Sequence, residues 1–351
     1  MKTYDIRLCP EVSLSGRFDR SKPGFEMFWS GAQARALVTG SELKVEIEAG
    51  YTQRRHYLSF EVDGLRAQTF APLEGRHWYT VFLGMDPGKT HDVRIIKETQ
   101  PFFDESRVCL LRLRTDGSFM PLPPAKRRIE FIGDSITAGE GGRGPVGFSE
   151  WLPMIFCSSD NYTRLAADAL NAEYQTVASS GAGVIAAWNN EPRTVPAIYE
   201  RLYGTCSDQV YDFGFQPTDA VIALGTNDNN ALGQPPWTDP ATGRTYKLTD
   251  TPGDMARLTE GAAEFIRLVH RKNPGARVTW LCFFPEGSVH DALSLAASQA
   301  RSEGIDVLFD VPVDLNRLPR GGMGSRWHPG IVTHRAIARR LVSLLRRADR
   351  P

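Results

Sequence analysis

The sequence predicts a two-part chain, a small antiparallel β-sandwich followed by an α/β domain built on a parallel sheet. Three observations carry that reading. Short segments alternating apolar and polar residues, separated by Gly and Pro turns, fill the first third of the chain. The stretch Pro121-Leu122-Pro123-Pro124 then interrupts them with an extended, stiff composition that suits a spacer. Beyond it, apolar strand-like runs alternate with segments of helical period, the signature of a sheet covered on both faces. The expected bounds are residues 1–120 and 125–351.

In the first part, Leu43-Lys44-Val45-Glu46-Ile47-Glu48 alternates strictly, as do parts of Tyr57 to Val62, and His91 to Lys97 is nearly as regular. The turn signals Asp63-Gly64, Pro72-Leu73-Glu74-Gly75 and Asp86-Pro87-Gly88 fall between these runs, where hairpins or corners are needed. In the second part, strands are expected at Ile129 to Ile132, Tyr174 to Val177, Ala220 to Leu224, Val278 to Phe283 and Val307 to Phe309. Helices are expected at Tyr162 to Leu170, Gly253 to His270, Asp291 to Glu303 and Thr333 to Arg347. This succession describes a flavodoxin-like sheet, whose ligand crevice lies beyond the carboxyl ends of the strands.

Ser135, Gly181 and Asn227 fall at such ends, in two of three segments that carry reactive groups and in a Gly-rich turn. Arg128 to Gly133 runs an apolar strand into the turn Gly133-Asp134-Ser135, which presents a serine at the sheet edge. Gly225-Thr226-Asn227-Asp228 follows the apolar run Ala220 to Leu224, and Trp327-His328-Pro329 lies near the C-terminus. A serine hydroxyl attacks an acyl carbon only when a base takes its proton and donors await the oxyanion. Ser135 is the expected nucleophile and His328 the expected base. The amides of Ser135 and Gly181, with the side-chain amide of Asn227, are the expected oxyanion donors. Asp134 and Asp228 read first as loop-shaping residues, and Asp134, beside the nucleophile, is also a candidate substrate contact.

These residues resemble the four motifs of the SGNH, or GDSL-type, hydrolase superfamily, whose named residues fall here on Ser135, Gly181, Asn227 and His328. One position departs. The aspartate usually found three residues before the histidine is Ser325 here. A backbone carbonyl near Ser325 is expected to fix the tautomer of His328 instead. A Ser–His dyad of that kind resembles carbohydrate esterase family 2, acetyl xylan esterase-like enzymes that remove acetyl groups from sugars. In that family a jelly-roll sandwich precedes the hydrolase domain. Gly16-Arg17-Phe18 through Phe28-Trp29-Ser30-Gly31 is similar to its opening, and the whole stretch from Val12 to Leu113 looks like the module. The resemblance implies acetylated hemicellulose sugars as substrates, with Trp327 as an aromatic platform. Trp188 is a candidate second wall, and Trp237 reads more naturally as packing.

Composition sets outer limits. The chain has 351 residues with 41 basic and 41 acidic side chains, a balance that gives no pull toward nucleic acid or anionic membrane. The resemblance implies an acetylated oligosaccharide or polysaccharide as partner. The histidines lack ligand spacing and the five cysteines lack Cys-x-x-Cys spacing, so no metal, no cofactor and no disulfide framework is expected. His334 reads as a surface residue at a helix start. Met1 to Arg7 lacks an apolar leader, which reads as cytoplasmic, or as secreted had a leader been removed. The alternatives are another SGNH acyl esterase, such as a thioesterase or lysophospholipase, and a non-catalytic sugar-binding protein on the same fold. Sequence does not decide the oligomeric state.

Overall fold

The computed structural model of the protein describes residues 1–348. Its first part is two antiparallel sheets packed face to face. One sheet runs Lys2–Asp5, Arg107–Thr115, Glu42–Gly50, Gly75–Leu83, and the other Phe119–Met120, Gln33–Val38, His91–Lys97, Leu58–Val62, Leu65–Phe70. Period-two patterning explains the packing. In Glu42–Gly50 the residues Leu43, Val45, Ile47 and Ala49 are buried in the sandwich core, while Lys44 and Glu48 face outward. Glu46 is also buried, and a two-pronged bond from Arg112 (2.6 and 2.8 Å) satisfies its carboxylate. Asp63 and Gly64 both take positive φ between the paired residues Val62 and Leu65, the turn that an Asp-Gly pair makes without strain.

The second part is a five-stranded parallel sheet in the order Ala172–Ala178, Arg127–Gly133, Asp219–Ala223, Arg277–Leu281, Val307–Asp310. Chain direction across the sheet reverses at its first strand, Arg127–Gly133. Crevices form at such a switch point because the flanking connections leave on opposite faces. The helices are α1 (Ser135–Ala138), α2 (Tyr162–Ala169), α3 (Thr226–Leu232), α4 (Pro252–Lys272), α5 (Ser288–Ser302) and α6 (Ile331–Ala348). One face of the sheet packs Ile129, Phe131 and Val221 against Ala166 of α2 and Ile337 and Leu341 of α6. The other packs Ile132, Ile222 and Val278 against Leu258 and Ile266 of α4 and Leu293 of α5. Among the described residues, no helix is long and apolar enough to cross a membrane.

Phe28 and Trp29 of the sandwich join the core on that second face, so the two parts share an apolar contact. Polar ties reinforce it. The Trp29 indole donates to the Leu202 carbonyl at 3.0 Å, Arg164 pairs with Glu61 at 2.9 Å, and Arg143 with Glu98 at 3.1 Å. The deepest tie is Arg17 to Glu130, 2.9 Å apart with both side chains buried. Glu130 also accepts from Gln175 and Tyr199, each at 2.6 Å, and the Arg17 guanidinium lies over the rings of Tyr199, Tyr211 and Phe213. Removing one member of a buried pair strands the other charge, which costs about 3–5 kcal/mol. Arg17→Met is therefore expected to lower unfolding free energy by about that amount in urea denaturation. A change below about 1 kcal/mol would show that Glu130 is compensated without Arg17.

Candidate active site

Ser135 begins the one-turn helix α1 directly beyond the strand Arg127–Gly133. Asp134 caps that helix, its Oδ1 accepting from the Ile136 N–H at 2.9 Å. His328 arrives from the loop before α6, its Nε2 standing 2.8 Å from Ser135 Oγ. Its Nδ1 lies 2.7 Å from the Arg326 carbonyl. A carbonyl only accepts, so Nδ1 carries the proton and Nε2 is left as the acceptor for the serine hydroxyl. The sequence expected a loop carbonyl near Ser325, and Arg326 supplies it.

That carbonyl is aimed by an uncommon turn. Arg326 and Trp327 have φ of +53° and +57°, both in the left-handed region. The His328 N–H closes the turn on the Ser325 carbonyl at 3.1 Å, and the Gly324 N–H bonds the His328 carbonyl at 2.8 Å. Two non-glycine residues in that region cost roughly 1–2 kcal/mol each. The surroundings hold them there. The Arg326 N–H donates to the Phe148 carbonyl at 2.8 Å, Nη1 to the Ser149 carbonyl at 2.7 Å, and Nε to Oε1 of buried Glu140 at 3.0 Å. Gly141 lies beneath, where a Cβ would come within 2.4 Å of the Ser325 carbonyl and 2.6 Å of His328 Cβ.

The pocket in front of Ser135 has a volume of about 480 Å³ and is lined by Gly181, Asn227, Trp188, Trp327 and His328 among others. Trp327 is 80% exposed and Trp188 46%. Gly181, with φ of +77°, sits at the carboxyl end of the strand Ala172–Ala178, and Asn227 in the first turn of α3. The structure thus brings Ser135, Gly181, Asn227, His328, Trp188 and Trp327 around one cavity. Trp237 instead packs on Tyr246, 5.8 Å between ring centres, in a separate hairpin.

Two expectations are corrected. Asp134 is fully buried and its second oxygen accepts from Asn227 Nδ2 at 3.1 Å, so it has no surface for a substrate to touch. His334 is buried rather than exposed, because α6 packs on α2. Its ring stacks on Tyr162, the planes 7° apart, and burial pushes its pKa down to about 4. Asn227 carries a second commitment, since Nδ2 also donates to the Ala182 carbonyl at 3.0 Å. Asp228 has the loop-shaping role, its carboxylate accepting the N–H groups of Val184, Ile185 and Ala186 at 2.8–3.1 Å. Residues missed in the sequence are Gln100, Glu140 and Trp151, all on the pocket wall; none carries a local motif.

Comparison with known proteins identifies the family. Residues 131–336 match the model described as GDSL-like Lipase/Acylhydrolase family. The chain belongs to that family. Residues 14–123 match a second model, Carbohydrate esterase 2 N-terminal, so this GDSL-like hydrolase carries the sandwich of family 2 carbohydrate esterases. It is 27% identical over 345 residues to a cellulase/esterase, CelE, of Acetivibrio thermocellus, covering 95% of this chain and 39% of that protein. The chain thus spans about two fifths of that relative's length. An acetylxylan esterase / glucomannan deacetylase of Cellvibrio japonicus is 27% identical over 272 residues, 74% of this chain and 69% of that one. Among solved structures, an acetyl xylan esterase from the rumen bacterium Butyrivibrio proteoclasticus superposes with a TM-score of 0.94 at 26% identity, covering 99% of each chain.

Burial pushes the Asp134 carboxyl up to about 7, aided by the nearby Asp228 and Glu140 charges and opposed by its bond from Ile136. An unfolded aspartate ionises near about 3.9. Below both values the group is protonated in both states and contributes no slope. As pH rises toward about 7 the unfolded chain releases its proton first, so this group's contribution to stability declines across that window and levels off above it. Asp134→Asn is expected to remove that slope. The check is the unfolding midpoint of both proteins from pH 4 to pH 8; parallel profiles would show that Asp134 ionises normally.

Proposed function

We propose that the chain is a carbohydrate esterase that removes O-acetyl groups from hemicellulose-type sugars, with Ser135 as nucleophile and His328 as base. The observation that carries the reading is the aligned path from the Arg326 carbonyl through the His328 ring to Ser135 Oγ, 2.7 and 2.8 Å long. The Ser135 hydroxyl attacks the acetyl carbonyl while Nε2 takes its proton. The tetrahedral oxyanion is met by the N–H groups of Ser135 and Gly181, with Asn227 joining if it gives up its bond to Asp134 or Ala182. Imidazolium then protonates the departing sugar oxygen, leaving acetyl-Ser135. Water attacks that ester with His328 again as base, acetate departs, and the serine recovers its proton.

Sugar specificity is supported by the pocket's shape and lining. About 480 Å³ is far more than an acetyl group fills, and its mouth carries the exposed rings of Trp327 and Trp188, which suit the C–H faces of a sugar. The wall mixes apolar Ile136, Trp151 and Leu315 with Gln100, Glu140, Thr226, Asn227 and Asn230, and those polar groups suit sugar hydroxyls beside the acetyl group better than a purely hydrocarbon acyl tail. That favours a sugar deacetylase over a thioesterase or lysophospholipase.

Acetate release from acetylated xylo-, gluco- and manno-oligosaccharides tests the reading. The chain is expected to release acetate, and Ser135→Ala to lower turnover by about 10⁴-fold or more. Faster cleavage of octanoyl than acetyl esters would overturn the substrate assignment. Restoring the missing aspartate provides a separate check. Ser325 is buried with Oγ 3.3 Å from the Gly141 carbonyl, so Ser325→Asp would press a carboxylate against a carbonyl oxygen. Lower thermal stability and no gain in kcat are expected; a kcat increase would mean that the Arg326 carbonyl is not what orients the base.

A further inference from the structure

The turn carrying Gly181 is gripped by two side chains that the reaction does not otherwise employ. Oε1 of Gln100 accepts the Ser180 N–H at 2.9 Å, and Arg193 Nη1 donates to the Ser180 carbonyl at 2.6 Å. Gln100 comes from the sandwich, three residues beyond the strand His91–Lys97, and is only 7% exposed. It lines the same pocket as Ser135, Ser180 and Gly181.

The Ser180 carbonyl and the Gly181 N–H are the two ends of one planar peptide. In a trans peptide those bonds point in opposite directions, so fixing the carbonyl fixes the line along which the N–H points. Arg193 does this with a charge. A guanidinium on the carbonyl oxygen polarises the peptide and strengthens its N–H as a donor. The next peptide is tied as well, since the Gly181 carbonyl accepts from the Trp188 N–H at 3.1 Å. The clamp closes over Gly181 so tightly that a Cβ there would lie 2.9 Å from Trp188 Cδ1 and 3.0 Å from Arg193 Nη2.

We infer that Arg193 and Gln100 are positioning residues that aim the Gly181 N–H at the oxyanion, so the sandwich domain completes the reaction site. The inference rests on the proposed reading in which Gly181 stabilises the oxyanion formed on Ser135. Its meaning for the fold is direct. A domain placed 80 residues upstream of the turn sets the geometry of a transition-state donor.

The experiment compares the full chain with Arg193→Ala, Arg193→Lys, Gln100→Ala and Ser135→Ala, using an acetylated sugar as substrate and methaneboronic acid as a tetrahedral mimic. A donor lost outright costs about 10²–10³ in kcat. Arg193→Ala is expected to lower kcat by about 10²-fold and Gln100→Ala by about tenfold, with KM changed less than about threefold. Boronate affinity should fall by factors that track kcat, and Arg193→Lys should recover part of both, because lysine keeps the charge and loses the fork. A kcat loss with unchanged boronate affinity, a loss carried by KM, or no loss would each overturn the inference, leaving the two residues structural. Persistent turnover in Ser135→Ala would instead overturn the serine mechanism beneath it, and this inference with it.

Discussion

The buried ion pair between Arg17 and Glu130 is the constraint on which the rest of the molecule depends. Glu130 lies on the strand that delivers Ser135, five residues before it, and Arg17 comes from the sandwich. A buried pair of this kind adds little net stability over an apolar contact, because desolvating both charges offsets most of their attraction. What it supplies is geometry: the guanidinium has one place where Glu130 and the three aromatic rings all meet it. With the two parts held in a single registration, side chains of the sandwich can serve as fixed walls of the hydrolase pocket. Gln100 on Ser180 and the edge-to-face contact of Phe102 with Trp151, 5.7 Å between centres, both depend on that registration.

His328, the proposed base, is oriented by a different economy of parts. A carboxylate would hold the imidazole and also favour its protonated form, whereas the neutral Arg326 carbonyl fixes the tautomer with weaker support for the cation. The compensation visible in the structure is rigidity. Arg326 is tied at its backbone N–H, its carbonyl and two guanidinium nitrogens, so the acceptor cannot drift from Nδ1. Glu140 links that anchor to Ser135, because its own N–H bonds the Ser135 carbonyl at 2.9 Å. Ser135 and His328 are therefore positioned from a shared piece of backbone.

Periodicity made the sandwich strands and the helices legible, since each buries one face, while the central parallel strands, buried on both faces, showed as short continuous apolar runs. The Gly-Asp-Ser turn and the Asn segment were legible for a related reason, since strand ends at a switch point are where a parallel sheet can present reactive groups, whereas His328 was read from its Trp-His-Pro sequence near the C-terminus. What could not be read depends on contacts distant in sequence or on backbone angles. Arg17 and Gln100 look like ordinary surface residues until partners 80 or more positions away cover them. Arg326-Trp327 contains no residue that favours positive φ, so nothing local announces the turn. Asp134 pointed inward because its oxygens serve the α1 cap and Asn227, and His334 was buried by α2, which no property of α6 alone dictates.

The turn at Arg326 and Trp327 unites the two halves of the proposed reaction. Left-handed conformation at Arg326 rotates its carbonyl back toward His328, and the same conformation at Trp327 places that residue at the tip of the loop, with its ring in solvent. Relaxing either residue to negative φ would undo both arrangements at once, because the closing bond from His328 to Ser325 spans them. On the proposed reading, the Trp327 platform and the carbonyl that orients His328 therefore share one turn. The strain held there, roughly 1–2 kcal/mol per residue, is offset by anchors that also brace Ser135.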